Sequence, residues 1–166
     1  MIVKLNDITV ELTESLLDKI EKFTQDINKC ESGGILLGGF IPKEKRYVIT
    51  EVTVPNETDL SSPTYFVRNY KSAQIIIEKC WTESSGKINY LGEWHTHGCI
   101  NPKPSFTDRK LLKMIISDES NVWDEVFMLI LGQDNTIYLG MTNVQSKGKI
   151  IAEIIIRRDV NAHIYN

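Results

Sequence analysis

Two of the chain's three histidines, His95 and His97, stand two residues apart in the stretch HTHGCINPKPSFTD, and Ser105 and Asp108 close it three residues apart. On a strand, side chains alternate between faces, so both imidazoles point the same way and can meet one ion. Ser105 stands where a helix N-cap belongs. Asp108 then falls on the same helical stripe as Leu111, Leu112 and Ile115, the stripe that faces the core. A carboxylate aimed inward must be paired or bound to a metal, because an isolated buried charge is strongly unfavourable. Two histidines and one carboxylate with an open fourth position is the arrangement of a catalytic zinc ion, whereas structural zinc sites usually close with four protein ligands, often thiolates. Each piece has a plainer reading. H-x-H alone is a weak signal, and S-x-x-D before an apolar run is often only a capping box. Their joint occurrence on one strand face and across one Pro-bounded turn favours the metal.

The elements that must position these residues read as mixed α and β. TESLLDKIEKFTQDI begins at an N-cap, Thr13, and sets Leu16, Ile20, Phe23 and Ile27 at helical spacing. GGILLGGF and RYVITEVTV predict adjacent antiparallel strands around a Pro-Lys-Glu-Lys turn. A polar loop from Pro55 to Val67 leads into a second helix over about 69–84, with Tyr70, Ala73, Ile77, Cys80 and Trp81 turned inward. INYLGEWHTH is the strand of the histidines and SFTDRKLLKMIIS the third helix, and EVFMLILG, TIYLGMT and KIIAEIIIR close the sheet as strands. Helices and mostly antiparallel strands sharing one core give an α/β (α+β) architecture. Without repeat or linker, residues 1–166 are expected to form a single domain.

Composition bounds the function. A formal net charge of -3 with scattered lysines offers little attraction to a phosphate backbone or an anionic membrane, which argues against nucleic acid and membrane partners. The apolar runs fall short of the roughly 20 residues a membrane helix needs. Three cysteines at motif-free spacings, with no signal peptide ahead of them, suggest free thiols in the cytoplasm. Cys30 and Cys80 read as small core fillers, and His163 as an exposed tail residue.

HTHGCINPKPSFTD resembles the H-x-H…S-x-x-D signature of the JAMM (JAB1/MPN) zinc metallopeptidases, and CESGGILLGGF resembles their upstream Glu and Gly-rich apolar strand. YLGEWHTH with PKPS is most similar to the short, stand-alone prokaryotic JAB branch, some of whose members sit in antiphage CBASS operons. The family commonly has proline after the second histidine, where this chain has Gly98 and then Cys99. The resemblance implies a cytidine-deaminase-like MPN/JAMM fold and Zn2+ held by His95, His97 and Asp108. It implies Glu31 as the base that takes the water's proton and Ser105 as a donor to the oxyanion. Glu93, on the histidine face by strand period, is a rival as base, fourth ligand or acceptor that orients a histidine, and Cys99 could also approach the metal. The implied activity is cleavage of a peptide or isopeptide bond after the C-terminal tail of a ubiquitin-like protein. Alternatives are processing of a sulfur-carrier protein and a non-catalytic binding scaffold. Zinc-dependent base deamination is disfavoured because its H-x-E…P-C-x-x-C signature has no C-x-x-C counterpart here. The Pro55–Val67 loop, with Tyr65 and Phe66, is expected to hold the substrate tail, unless both aromatics only anchor the loop.

Overall fold

Short apolar runs rich in Val and Ile and bounded by turn residues form the strands, as their β-branched, pleat-filling shapes favour. The computed structural model describes residues 1–26, 29–118 and 121–158. Two strands, β1 (Ile2–Leu5) and β2 (Ile8–Leu12), precede the helix α1 (Glu14–Glu21), then β3 (Gly33–Ile41) and β4 (Arg46–Val52) form the expected antiparallel pair. The Pro55–Val67 segment contains a small hairpin, β5 (Leu60–Ser62) and β6 (Tyr65–Val67), which leads to α2 (Tyr70–Glu83). The strand β7 (Asn89–Thr96), the helix α3 (Phe106–Ile116), and the strands β8 (Glu125–Leu131), β9 (Thr136–Asn143) and β10 (Ala152–Arg157) complete the order.

Eight strands form one sheet in the order β1-β2-β4-β3-β7-β8-β9-β10, antiparallel except for the parallel pairs β2/β4 and β7/β8. The sheet curls until its edges approach, and the Asn6 side-chain amide donates to the Ile151 carbonyl across the gap. One face encloses the main core: Leu36, Leu91, Trp94, Phe127 and Leu129 pack with Leu16, Leu17 and Ile20 of α1. The opposite face carries α3, through Leu112 and Ile116 on Met128 and Ile130, and α2, through Ala73 on Ile35 and Leu37. The architecture is thus the α+β, mostly antiparallel curved sheet flanked by helices that the sequence predicts.

Several details differ from that reading. The strands β1 and β2 were not anticipated. The first helix stops at Glu21 because the Glu21 carbonyl is taken by both the backbone N–H and the hydroxyl of Thr24, a β-branched residue whose side chain competes with the helical ladder. Ile27 and His163 lie outside the described residues. On α2 the inner stripe is Ala73, Ile76, Ile77 and Cys80, while Tyr70 and Trp81 are exposed, Tyr70 beneath the Arg68 guanidinium at 5.7 Å. Cys30 is exposed rather than core.

The strand β7 departs from simple alternation once. Leu91 and Trp94 both turn into the main core because the β3/β7 register shifts at Leu36/Leu37, opposite Gly92. Gly92 has φ +146°, and a Cβ there would lie 1.9 Å from the Phe127 carbonyl oxygen. This bulge puts Tyr90 on the same face as Glu93. Gly92→Ala is therefore expected to cost about 3 kcal/mol or more. In thermal unfolding that is a Tm drop of roughly 10 °C for a chain of this size.

Candidate metal centre

Three elements deliver the candidate ligands. The alternation of β7 sends Trp94 and Thr96 into the interior and leaves His95 on the opposite, helix-bearing face. His97 lies one residue past the strand, held because its N–H donates to the Leu131 carbonyl at 2.9 Å. The loop that follows is stiffened by the buried Pro102 and Pro104, with Pro102 pressed on Gly132 so closely that a Cβ there would meet its ring at 2.7 Å. It delivers Ser105 as the N-cap of α3 in a full capping box. The Asp108 N–H donates to the Ser105 hydroxyl at 3.2 Å, and the Ser105 N–H donates to Asp108 Oδ2 at 2.6 Å. As acceptor in that box, the Ser105 hydroxyl keeps its own proton available to donate.

The plainer reading of S-x-x-D as a capping box and the ligand reading are therefore compatible. Asp108 Oδ1 lies 3.3 Å from His95 Nε2, Oδ2 lies 3.6 Å from His97 Nε2, and the two Nε2 atoms are 3.1 Å apart. A tetrahedral ion bound at 2.0–2.1 Å separates its ligand atoms by about 3.3–3.4 Å. The His95 Nε2 to Asp108 Oδ1 and the Nε2 to Nε2 distances lie near that edge, and one ligand atom from each of the three residues falls within 4.8 Å of the other two. Among the described residues, this is the one group of three or more such side chains close enough to share an ion. The electrostatics agree. Burial opposes the Asp108 charge, but the His95 imidazole and the bonds from Ser105 outweigh it and hold the carboxyl well below the usual carboxylate range. Burial, reinforced by His95 and opposed by Asp108, lowers the His97 pKa, which favours the neutral imidazole that a metal needs. Two imidazole nitrogens and a carboxylate suit zinc.

Glu31 is brought to the same place by strand register. Gly33 pairs with His95, the Thr96 N–H donates to the Ser32 carbonyl, and the Ser32 N–H donates to the Thr96 hydroxyl at 3.0 Å. Continuing that antiparallel register places Glu31 opposite His97, on the shared face. Glu31 is buried. Burial raises its pKa to about 7, with His95 pulling it down and Asp108 pushing it up. The hairpin leans on this segment: the Glu31 N–H donates to the Ser62 carbonyl at 2.7 Å. A Cβ on Gly33 would lie 2.6 Å from the Phe66 ring, so this glycine leaves the room Phe66 occupies. Tyr65 is exposed. The two aromatics have separate roles, Phe66 as an anchor and Tyr65 as free surface.

Glu93 shares the histidine face, but its hydrogen bonds go elsewhere. Arg68 Nε donates to its two oxygens at 2.8 and 3.1 Å, and the Tyr90 hydroxyl donates at 2.8 Å. Cys99 is exposed and outside the ligand group. Sequence reasoning missed Arg68 and Tyr90, although a carboxylate on a buried strand face demands a cation somewhere. It also missed Gln25. The buried Gln25 amide donates to the Lys29 and Pro63 carbonyls at 2.8 and 3.1 Å, tying the approach to Glu31 to the hairpin turn, and it lies against Gly98.

The family described as prokaryotic homologs of the JAB domain matches residues 13–144, a span that contains Glu31, both histidines, Ser105 and Asp108. A CD-NTase/cGAS isopeptidase of Pseudomonas aeruginosa (strain BWHPSA011 / Pa011) is 28% identical over 150 residues, covering 90% of this chain and 92% of that protein. A CD-NTase/cGAS isopeptidase of Escherichia coli (strain TW11681) is 36% identical over 111 residues, 66% of each protein. The solution structure of protein DSY2949 from Desulfitobacterium hafniense matches with a TM-score of 0.59 at 16% identity, over 93% of this chain and 97% of that one, a likeness of fold.

One zinc per chain is expected, and metal analysis of His95→Ala, His97→Ala and Asp108→Asn should each show most of it lost. Because asparagine can still accept the cap bond, metal-free Asp108→Asn should be about 1 kcal/mol more stable than metal-free Asp108→Ala. A second expectation concerns pH. The folded-state pKa of Glu31 is raised, so its ionisation disfavours the metal-free fold as pH rises from its unfolded value through about 7. Metal-free Glu31→Gln should therefore gain more Tm over the wild type at pH 8 than at pH 4.5.

Proposed function

The chain belongs to the prokaryotic JAB-domain family, and from that premise we propose that it is a zinc-dependent isopeptidase, one domain over residues 1–166, that releases a protein from a lysine amine. The observation that carries this reading is the His95, His97 and Asp108 group, whose ligand atoms lie within 4.8 Å of one another, with Glu31 set opposite His97 by strand register.

Zinc held by His95, His97 and Asp108 would supply Lewis acidity, lowering the pKa of a water and polarising the scissile carbonyl. Glu31 takes a proton from the attacking water and delivers it to the departing lysine amine, which cannot leave as an anion. A carboxyl raised toward neutral pH is suited to both halves of that transfer. Ser105 donates its free hydroxyl proton to the oxyanion of the tetrahedral intermediate while its oxygen stays in the α3 cap. Glu93 fixes Arg68 and Tyr90 beneath the site and takes no proton from the reaction. The intact set of ligands, base and oxyanion donor speaks against a non-catalytic scaffold.

The substrate is a conjugate whose acyl side is an extended C-terminal tail. The hairpin β5/β6, standing over Glu31 and Gly33, offers backbone for such a tail to pair with, and Tyr65 offers an exposed ring to cover it. The motif resemblance suggests a ubiquitin-like protein as owner of the tail, and the names of the relatives favour a CD-NTase in an antiphage, CBASS-type system. Free Cys30, Cys80 and Cys99 accord with a cytoplasmic enzyme, and among the described residues no helix is long and apolar enough to cross a membrane.

The reading is tested with zinc-loaded protein and a CD-NTase or ubiquitin-like protein linked through its C-terminus to a lysine. Glu31→Gln should retain zinc and fold while kcat falls on the order of 10²–10⁴-fold. Turnover at the wild-type rate would remove Glu31 as the base. Tyr65→Ala should raise KM with Tm unchanged, whereas Phe66→Ala should lower Tm because it empties the space over Gly33.

A further inference from the structure

The outer face of α3, turned away from the ligand group, is unlike the rest of the chain in charge. Arg109, Lys110 and Lys113 are exposed along it, and Lys103 is exposed just before it. Lys147 and Lys149 bracket Gly148, which is pressed so tightly on Lys113 that a Cβ there would lie 2.6 Å from the Lys113 Cα. Among the described residues none of these six cations is in an ion pair. Arg109 acts on the Tyr138 hydroxyl, but the carboxylate beside it, Glu153, already accepts from that hydroxyl at 2.8 Å. Six positive charges with no ion pair among the described residues therefore gather on one face of a chain whose net charge is -3. The same face is apolar in two places. Phe106, the first residue of α3 and next to Ser105, is 85% exposed, and Met114, two turns on, is also exposed.

Position gives the face a direction. The hairpin that would hold the tail stands over Gly33 and Glu31, on the β3 side of β7, whereas α3 packs on β8 and β9 on the other side. A substrate crossing the metal centre with its tail on the hairpin side presents its leaving amine toward Ser105, Phe106 and the start of α3. We propose that this face of α3 docks the lysine-bearing protein of the conjugate, through an acidic surface on that protein, with Phe106 as the apolar anchor. The proposal rests on the isopeptidase reading above. Like-signed charge beside a reaction centre attracts an oppositely charged partner from a distance, and an exposed aromatic at its rim supplies contact area once the partner arrives. An acidic protein fits better than nucleic acid, because the chain's overall negative charge opposes a polyanion that extends beyond one helix.

The test uses the zinc-loaded full chain and three isopeptides that share one CD-NTase C-terminal tail. They differ in the lysine-bearing peptide, whose flanks are acidic, neutral or basic. At low salt kcat/KM for the acidic peptide should exceed that for the basic one about tenfold or more. The gap should close near 0.5 M salt, where charges are screened within a few ångströms. Lys110→Glu combined with Lys113→Glu should abolish or reverse the preference and leave turnover of the neutral peptide unchanged, which also reports that the variant is folded. Phe106→Ala should raise KM for all three. Equal turnover of the three peptides by the wild type at low salt would overturn the docking proposal and leave the isopeptidase reading standing, while cleavage of none of them would overturn both. If the peptides are indistinguishable and a single-stranded DNA 20-mer binds at about 0.15 M salt, with binding lost in the double variant, the face belongs to nucleic acid and the proposal is wrong.

Discussion

Asp108 is a carboxylate taken largely out of water, and it keeps its charge only because its two oxygens are divided between two tasks. Oδ2 accepts the Ser105 N–H and so starts α3, while Oδ1 faces His95. The division fixes more than the side chain. Because the cap and the cluster share one residue, the N-terminus of α3 can lie only where β7 ends, and the loop between them must be short and stiff, which Pro102 and Pro104 make it. The packing of Leu112 and Ile116 on Met128 and Ile130 then holds the helix from its far end. The site and the α3 layer of the fold are one construction, and the loss of Asp108 would weaken both.

The other half of the site depends on strand register. Glu31 lies outside any regular element, at the entrance to β3, and it falls opposite His97 because Gly33 pairs with His95 and the Ser32 to Thr96 bonds extend that pairing. A slip of one residue would send the carboxylate to the opposite face. What prevents the slip is distributed along β3 and β7: the bulge at Gly92, the burial of Trp94, and the close approach of Phe66 to a glycine. The Gly-rich character of β3 is thus explained by crowding on both faces. Gly33 meets Phe66 and the Trp94 carbonyl, and Gly38 meets the Val48 carbonyl.

The legible parts of the sequence were those where a single local rule acts. Alternation put His95 and His97 on one face, the S-x-x-D spacing gave the cap, and apolar runs gave β3, β4 and the strands from β7 on. The unread parts depend on contacts between distant residues. Nothing near Glu93 announces Arg68, which is 25 residues away in sequence and reaches it only because α2 begins above β7. Gln25 is as opaque, since its partners are two carbonyls supplied by the hairpin turn and by the approach to β3. β1 and β2 escaped notice because IVKL and ITVEL are too short to stand out until they are paired. Tyr70 and Trp81 fit the helical stripe of α2 by spacing, yet the α2 contact with the sheet is centred on Ala73, and they fall at its margins.

Charge balance links these observations. The acidic side of the cluster is Asp108 and, once it ionises, Glu31. Burial, with a smaller push from the Asp108 charge and against the pull of His95, raises the Glu31 pKa to about 7. A divalent ion in the His95, His97, Asp108 triangle would offset both carboxylates, and water could not, because it brings no charge. The same accounting separates Glu93 from the reaction. Its carboxylate is already balanced by Arg68 through two hydrogen bonds and accepts a third from Tyr90, so it gains little from an ion. Of the acidic residues on this face, the fold pairs Glu93 with a cation internally and leaves Glu31 and Asp108 without one, and this division suits the His95, His97 and Asp108 group to a divalent ion.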